Sequence, residues 1–359
     1  MAEDHNVNSP PGQRDASDLP FRIYRDDIDS LRAARSQLRQ ADRTLGFVPT
    51  MGALHDGHLS LIRAAAADNT HIVVSVFVNP TQFGPSEDLD TYPRTWDEDM
   101  AKLTALNKEL ASANSLGRVT GVFAPSVKTM YPTQPPSSEI HADGSFVTVG
   151  SLETKGEGGA RPTFFRGVAT VCMKLFNIIQ PDRVYFGQKD FQQSVVIKTL
   201  VRDFHIPTVV HVVPTCREAD GLAMSSRNVY LGERRRKVAP ILYRALCMAR
   251  NEYFSGNRSR KEILATFMRC FEQEKVRLRW DKDLEGVHLN LDYILVSHPD
   301  DMRDLHGEVD AITGAVISGA AIMPPVDDPR NNQEEAQKPV RLIDNIVLAP
   351  TDASKKTLK

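Results

Sequence analysis

The sequence predicts an α/β fold: a doubly wound, Rossmann-like domain with a parallel sheet, followed by a smaller α+β domain. Three observations carry that prediction. Apolar, β-branched runs alternate with segments whose apolar residues recur at helical spacing. The links between them are mostly short, as in repeated βα units. After Pro214 the pattern changes to two long helical stretches and then three strand-like runs.

In order, 28–38 reads as a helix, 45–49 as a strand and 57–68 as a helix. Residues 71–79 (HIVVSVFVN) form an almost unbroken apolar run, which fits a strand buried on both faces. A helix over 96–110 and a strand over 119–124 follow. Then come a helix over 167–179, a strand over 183–187, a helix over 191–204 and a strand over 208–213. The C-terminal part reads as helices over 234–254 and 260–279 with strands over 291–296, 314–323 and 342–348. This gives a polar leader over 1–20, a Rossmann-like domain over 21–213 and a smaller domain over 214–350. A tail occupies 351–359. Residues 107–118 and 132–161, the latter rich in Pro, Ser, Gly and Glu, read as surface insertions, and the polar stretch 324–338 as a loosely ordered loop.

At 359 residues and 41% hydrophobic composition the chain has enough material for two cores. A net charge of −2 gives no global attraction for nucleic acid, and the basic cluster 233–237 (ERRRK) reads as a solvated first turn of a helix. Four scattered cysteines without CxxC spacing read as buried free thiols, and zinc is not expected. Trp96 and Trp280 read as core or interface residues. No run of 18 apolar residues and no apolar leader occurs, so no membrane partner is expected and the default location is cytoplasmic.

The richest motif is PTMGALHDGHLSL, 49–61, where an apolar run meets a helical one. At such a turn the first N–H groups of the helix lack partners and the dipole favours an anion. His55 and His58 project from the same side of the first turn, and Gly52 and Gly57 would let backbone approach a ligand. A histidine pair at this spacing is more often surface or satisfied core. Glycines around it, after a buried strand, favour a nucleotide phosphate site. The segments 79–84 and 187–190 also follow predicted strand ends, so three segments should converge on one cleft. Downstream, READGLAMSSRN (217–228) offers two hydroxyls and a guanidinium for phosphate oxygens.

The pairing of HxGH with this loop resembles the two signatures of the class I nucleotidyltransferase superfamily, in which HxGH and a KMSKS-type loop close on ATP. The longer blocks at 49–61, 76–95, 123–132, 164–193 and 217–231 resemble the pantothenate synthetase family, in that family's order. The resemblance spans roughly 21–350. It implies an AMP-forming ligase that joins pantoate to β-alanine through a pantoyl adenylate. His55, His58, Lys189 and Arg227 would be the catalytic set. ATP would be bound by Met51, His55, Gly57, His58, Gly187, Lys189, Asp190, Ser225, Ser226 and Arg227. Pantoate would be lined by Met51, Gln82 and Gln193. The resemblance also implies a homodimer, and Mg2+ carried on the ATP phosphates rather than held by protein side chains. Two departures stand out: Phe164 occupies a place where the family commonly has histidine, and Gln188 one where it commonly has glutamate. A different nucleotidyltransferase-type enzyme, or a nucleotide-binding protein without turnover, remains open at this point.

Overall fold

A computed structural model of the chain describes residues 19–352, apart from 86, 134, 135, 137, 140–142, 151, 153 and 155. Most of the expected leader and most of the tail lie outside the described residues. The N-terminal elements are β1 (Arg22–Arg25), α1 (Ile28–Gln40), β2 (Leu45–Thr50), α2 (Asp56–Asp68), β3 (His71–Val76), α3 (Trp96–Ser112) and β4 (Arg118–Ala124). Two single turns, α4 (Val127–Met130) and α5 (Glu157–Ala160), precede α6 (Phe164–Ile179), β5 (Arg183–Gly187), α7 (Phe191–Asp203) and β6 (Val209–Val213).

The six strands are all parallel, in the order β1-β4-β3-β2-β5-β6. From β2 the chain winds outward through β3 and β4, then returns to place β5 on the other side of β2. The order therefore reverses between β2 and β5, and ligands of such sheets bind beyond the carboxyl ends of the strands at that point. The two strands pair at Gly46↔Arg183 and Phe47↔Val184 only, so they part before their carboxyl ends and open a crevice. One sheet face buries Phe47, Phe123 and Val184 with Phe165 and Val196; the other buries Val48, Val74 and Tyr185 with Ile62 and Leu103.

The remainder comprises α8 (Gly232–Val238), α9 (Ile241–Phe254), α10 (Arg260–Leu278), β7 (Asn290–Ser297), β8 (Ala315–Met323), α11 (Asn332–Glu335) and β9 (Val340–Leu348). Strands β7-β8-β9 form an antiparallel sheet. Its core is built on Tyr253, Phe267, Phe271, Val296, Ile317 and Ile346. The α/β reading therefore holds.

Several expectations need correction. β1 was not foreseen. The helix expected over 234–254 is two helices, because Pro240 lacks the N–H that a continuous helix needs. Residues 107–112 are the end of α3, not an insertion: Asn107 donates to Val119 O at 2.8 Å and accepts from Val119 N at 2.9 Å, extending β4 with a side chain. In 132–161, Val149, Leu152 and Glu157 are buried, so its second half is packed rather than superficial. The ERRRK cluster is not wholly solvated. Arg234 forms a buried ion pair with Glu334 at 2.6 Å, which also ties down the loop expected to be loose. Arg235 is fully buried, donating to the carbonyls of Leu231, Met323, Pro324 and Lys338 at 2.8–3.1 Å and to that of Tyr230. Of the cysteines only Cys172 is buried, although all four are free thiols. Trp280 is 82% exposed and belongs to no core, whereas half-buried Trp96 does pack against the core beside α3 and carries the Arg25 guanidinium 4.1 Å from its ring centroid.

Candidate active site

One cavity of about 850 Å³ lies at the β2–β5 crevice, between the parallel sheet and the C-terminal elements. All twelve site residues anticipated from sequence line it: Met51, His55, Gly57, His58, Gln82, Gly187, Lys189, Asp190, Gln193, Ser225, Ser226 and Arg227. Segments far apart in the chain are thus brought to one space.

The histidines cap their own helix. His55 is the N-cap of α2, with extended backbone; its Nδ1 accepts from Gly57 N at 3.1 Å, and His58 Nδ1 accepts from His55 N at 3.3 Å. Each ring thereby satisfies an N–H that helix geometry leaves without a partner. It also fixes the tautomer: with Nδ1 accepting, Nε2 carries the proton. The ring centroids are 4.1 Å apart. Burial, then Lys189 and Lys102, push His55 down to about 4. Burial, then His55 and Lys189, push His58 in the same direction. Near neutrality the pair therefore offers two uncharged N–H donors rather than two cations. Gly57 lines the cavity and has a further reason to lack a side chain, since a Cβ there would meet His55 Cε1 at 2.8 Å and the ring would have to shift.

The turn before the histidines is strained into place. Gly52 and Ala53 have φ of +84° and +49°. The buried carboxylate of Asp99 in α3 accepts from Ala53 N at 2.9 Å and Leu54 N at 2.7 Å, collecting the backbone donors of that turn. Opposite, at the end of β5, Asn345 of β9 donates to Gln188 O at 2.8 Å and Lys189 O at 2.9 Å. Its neighbour Asp344 pairs with Arg217 through bonds of 2.6 and 2.9 Å. The antiparallel sheet thus holds both the lysine turn and the base of the MSSRN loop. Lys189 lies 3.6 Å from Asp190, and the space in front of Gly187 is open.

The MSSRN loop docks on the HxGH side. Ser226 Oγ donates to Ala53 O at 3.1 Å, and Ser225 caps the following turn through Arg227 N at 3.3 Å. On the third wall, buried Asn79 donates to Gln82 Oε1 at 2.9 Å, which leaves the Gln82 NH2 as the group offered to a ligand. Arg161 donates to Gln82 O at 2.9 Å and pairs with Glu87. Phe164 also lines the cavity, with the Arg161 guanidinium 3.9 Å from its ring centroid.

Sequence reasoning missed Asp99, Arg161 and Asn345, and had Asn79 only as the start of a segment expected at the cleft. Asp99 is one of three acids in the first turn of α3, beside Asp97 and Glu98, and nothing in the sequence sets it apart from them. Asp344 and Asn345 did carry a signal, as adjacent polar residues inside the otherwise apolar strand VRLIDNIVL.

Comparisons with known proteins point to one family. Residues 23–347 match the family model described as pantoate-beta-alanine ligase. The chain is 42% identical over 295 residues to the pantothenate synthetase of Roseiflexus castenholzii, covering 82% of this chain and 92% of that one. It is 40% identical over 326 residues to that of Moorella thermoacetica, covering 90% and 98%. Among solved structures it resembles pantothenate synthetase from Thermus thermophilus, with a TM-score of 0.70, 39% identity and coverage of 90% and 98%. It also resembles pantoate-beta-alanine ligase from Francisella tularensis, solved with beta-gamma ATP and beta-alanine, with a TM-score of 0.62, 31% identity and coverage of 91% and 98%.

Proposed function

The chain belongs to the pantoate-beta-alanine ligase family, and from that premise we propose that it condenses pantoate with β-alanine through a pantoyl adenylate, releasing AMP and pyrophosphate. A pantoate carboxylate oxygen attacks the α-phosphorus of ATP and the bond to pyrophosphate breaks. The β-alanine amine then attacks the acyl carbonyl, loses a proton and expels AMP. The observation that supports this most is the convergence of two neutral imidazole donors with Lys189, Ser225, Ser226 and Arg227 on one cavity.

In this reading His55 and His58 donate Nε2–H to phosphate oxygens, and Lys189 adds positive charge as the transition state develops. Ser225, Ser226 and Arg227, whose loop docks beside the HxGH turn, grip the triphosphate together with the histidines, while Asp190 holds the ribose. Met51, Gly57 and Gly187 shape the nucleotide side. The Gln82 and Gln193 amides bond pantoate hydroxyls and carboxylate. The polyphosphate-facing donors are N–H and O–H groups, so a magnesium ion fits as a passenger on the phosphate oxygens, withdrawing charge from phosphorus. No protein nucleophile is required. Asn345 and Asp344 reach across from the second sheet, which supports a boundary near residue 213 between a nucleotide domain and a closing domain. Assembly as a homodimer in the cytoplasm completes the proposal; no helix among the described residues is long and apolar enough to cross a membrane.

The test follows the label. Pantoate carrying heavy oxygen in its carboxylate is incubated with Mg-ATP and β-alanine. Heavy oxygen in AMP, and pyrophosphate formation that requires pantoate, are the expected results. ADP and phosphate as products, or unlabelled AMP, would exclude the adenylate.

A further inference from the structure

The guanidinium assigned to the triphosphate already has a partner. Arg227 Nε and Nη2 donate to Asp88 Oδ2 and Oδ1 at 2.8 and 2.7 Å, the same fork-to-fork pairing that arginine makes with a phosphate. The Phe83 and Tyr92 ring centroids lie 5.6 and 5.3 Å from that guanidinium and hold it between loops. Tyr230 OH donates to Thr91 O at 2.7 Å, a second tie between the MSSRN loop and the 83–92 segment. Both Arg227 and Asp88 line the cavity.

A carboxylate held in this way occupies the Nε–Nη2 edge, one of the two forked edges of the guanidinium, and neutralises its charge. To offer that edge and its full charge to a triphosphate, Arg227 has to change partners. We propose that Asp88 is a positioning residue that stands in for phosphate. It keeps Arg227 oriented between turnovers, yields it to the entering triphosphate, and takes it back as pyrophosphate departs. The proposal rests on the reading that Arg227 grips the triphosphate.

The exchange trades one charge-assisted bidentate pair for another, so Arg227 is not left unpaired at either end of the cycle. Competition by Asp88 weakens the hold on ATP and on pyrophosphate alike, which prevents a strongly cationic wall from retaining the product. The same loop reaches the acid pocket. Glu87, next to Asp88, pairs with Arg161, and Arg161 donates to Gln82 O. Release of Asp88 is therefore transmitted toward the residue assigned to pantoate.

The experiment measures, on the full chain, the dissociation constant of a non-hydrolysable ATP analogue and the inhibition constant of pyrophosphate. Four variants are compared with the parent: Asp88→Asn, Asp88→Glu, Arg227→Met and the Asp88→Asn/Arg227→Met double. In Asp88→Asn both constants are expected to fall roughly three- to tenfold, the scale of one partly exposed bidentate pair, with slower turnover from retained pyrophosphate. Asp88→Glu, which keeps the carboxylate, should return both toward the parent values. The double variant should match Arg227→Met. A structural defect at Asp88 would weaken binding instead. Unchanged or weaker binding in Asp88→Asn, beside a weakened Arg227→Met, overturns the exchange alone. A double variant tighter than Arg227→Met also overturns it, because the gain would then come from removing a negative charge. Unchanged affinity in Arg227→Met overturns the clamp reading itself.

Discussion

Replacing His58 by asparagine separates its two duties. As a cap, His58 accepts from His55 N at 3.3 Å, a long bond, and asparagine retains an acceptor at the same helical position. Even complete loss of such a cap costs about 1 kcal/mol, and roughly 2–4 °C of melting temperature for a domain of 150–250 residues. As a donor to the triphosphate, the ring Nε2–H has no equivalent in the shorter side chain. Losing one preorganised donor to developing charge costs on the order of 10²–10³ in turnover. The two effects differ in size and in readout. A thermal melt measures the first, and steady-state release of AMP at saturating substrates measures the second. The expected outcome is a fold that melts within a few degrees of the parent and turns over at least a hundredfold more slowly, with ATP affinity less affected. A variant that melts normally and works at near-parental speed would refute the assigned role. So would one whose lost activity simply tracks its lost folded fraction.

Three other outcomes follow from the geometry. His55 is pushed down to about 4 from 6.5 by burial and nearby lysines. Below pH 6.5 the unfolded chain takes up a proton that the folded chain refuses, so stability falls between pH 6.5 and about 4, by roughly 3 kcal/mol from this residue. Urea denaturation at pH 7 and pH 4.5 should show a smaller difference in His55→Gln than in the parent, and equal differences would contradict the neutral imidazole. Glu334→Gln leaves Arg234 buried without its counter-ion and should cost about 3–5 kcal/mol in chemical denaturation, whereas a change under about 1 kcal/mol would show the pair to be dispensable. Asn79→Ala frees the Gln82 amide and should raise KM for pantoate about tenfold, the scale of one hydrogen bond, with little change in KM for ATP; equal changes in both would place Gln82 elsewhere.

The parts of this molecule that sequence revealed were those with period or punctuation. Apolar runs marked β2 through β9 and the long helices; for β2 to β5, burial on both faces of the parallel sheet leaves little choice of residue. β1 was missed because RIYR is four residues long with only Tyr24 buried. HxGH and MSSRN were legible because each gathers side-chain donors on one short segment. Their supports were not. Asp99, Asn79 and Asn345 act through backbone groups 46, 88 and 157 positions away, those of Ala53, Gly167 and Gln188, and a distance of that kind exists only after folding. Arg235 failed for a related reason. An arginine on a polar helical turn looks solvated until the carbonyls of Leu231, Met323 and Lys338 surround it. Phe164, set aside as a departure from the family pattern, still reaches the cavity because α6 begins at its rim.

A crystal structure of the chain with a non-hydrolysable ATP analogue measures the decisive relation between the two loops. The expected result is one triphosphate within hydrogen-bonding distance both of His55 or His58 and of Ser225, Ser226 or Arg227, with Asp88 released. A nucleotide bound by only one of the two loops, with Arg227 still paired to Asp88, would contradict it.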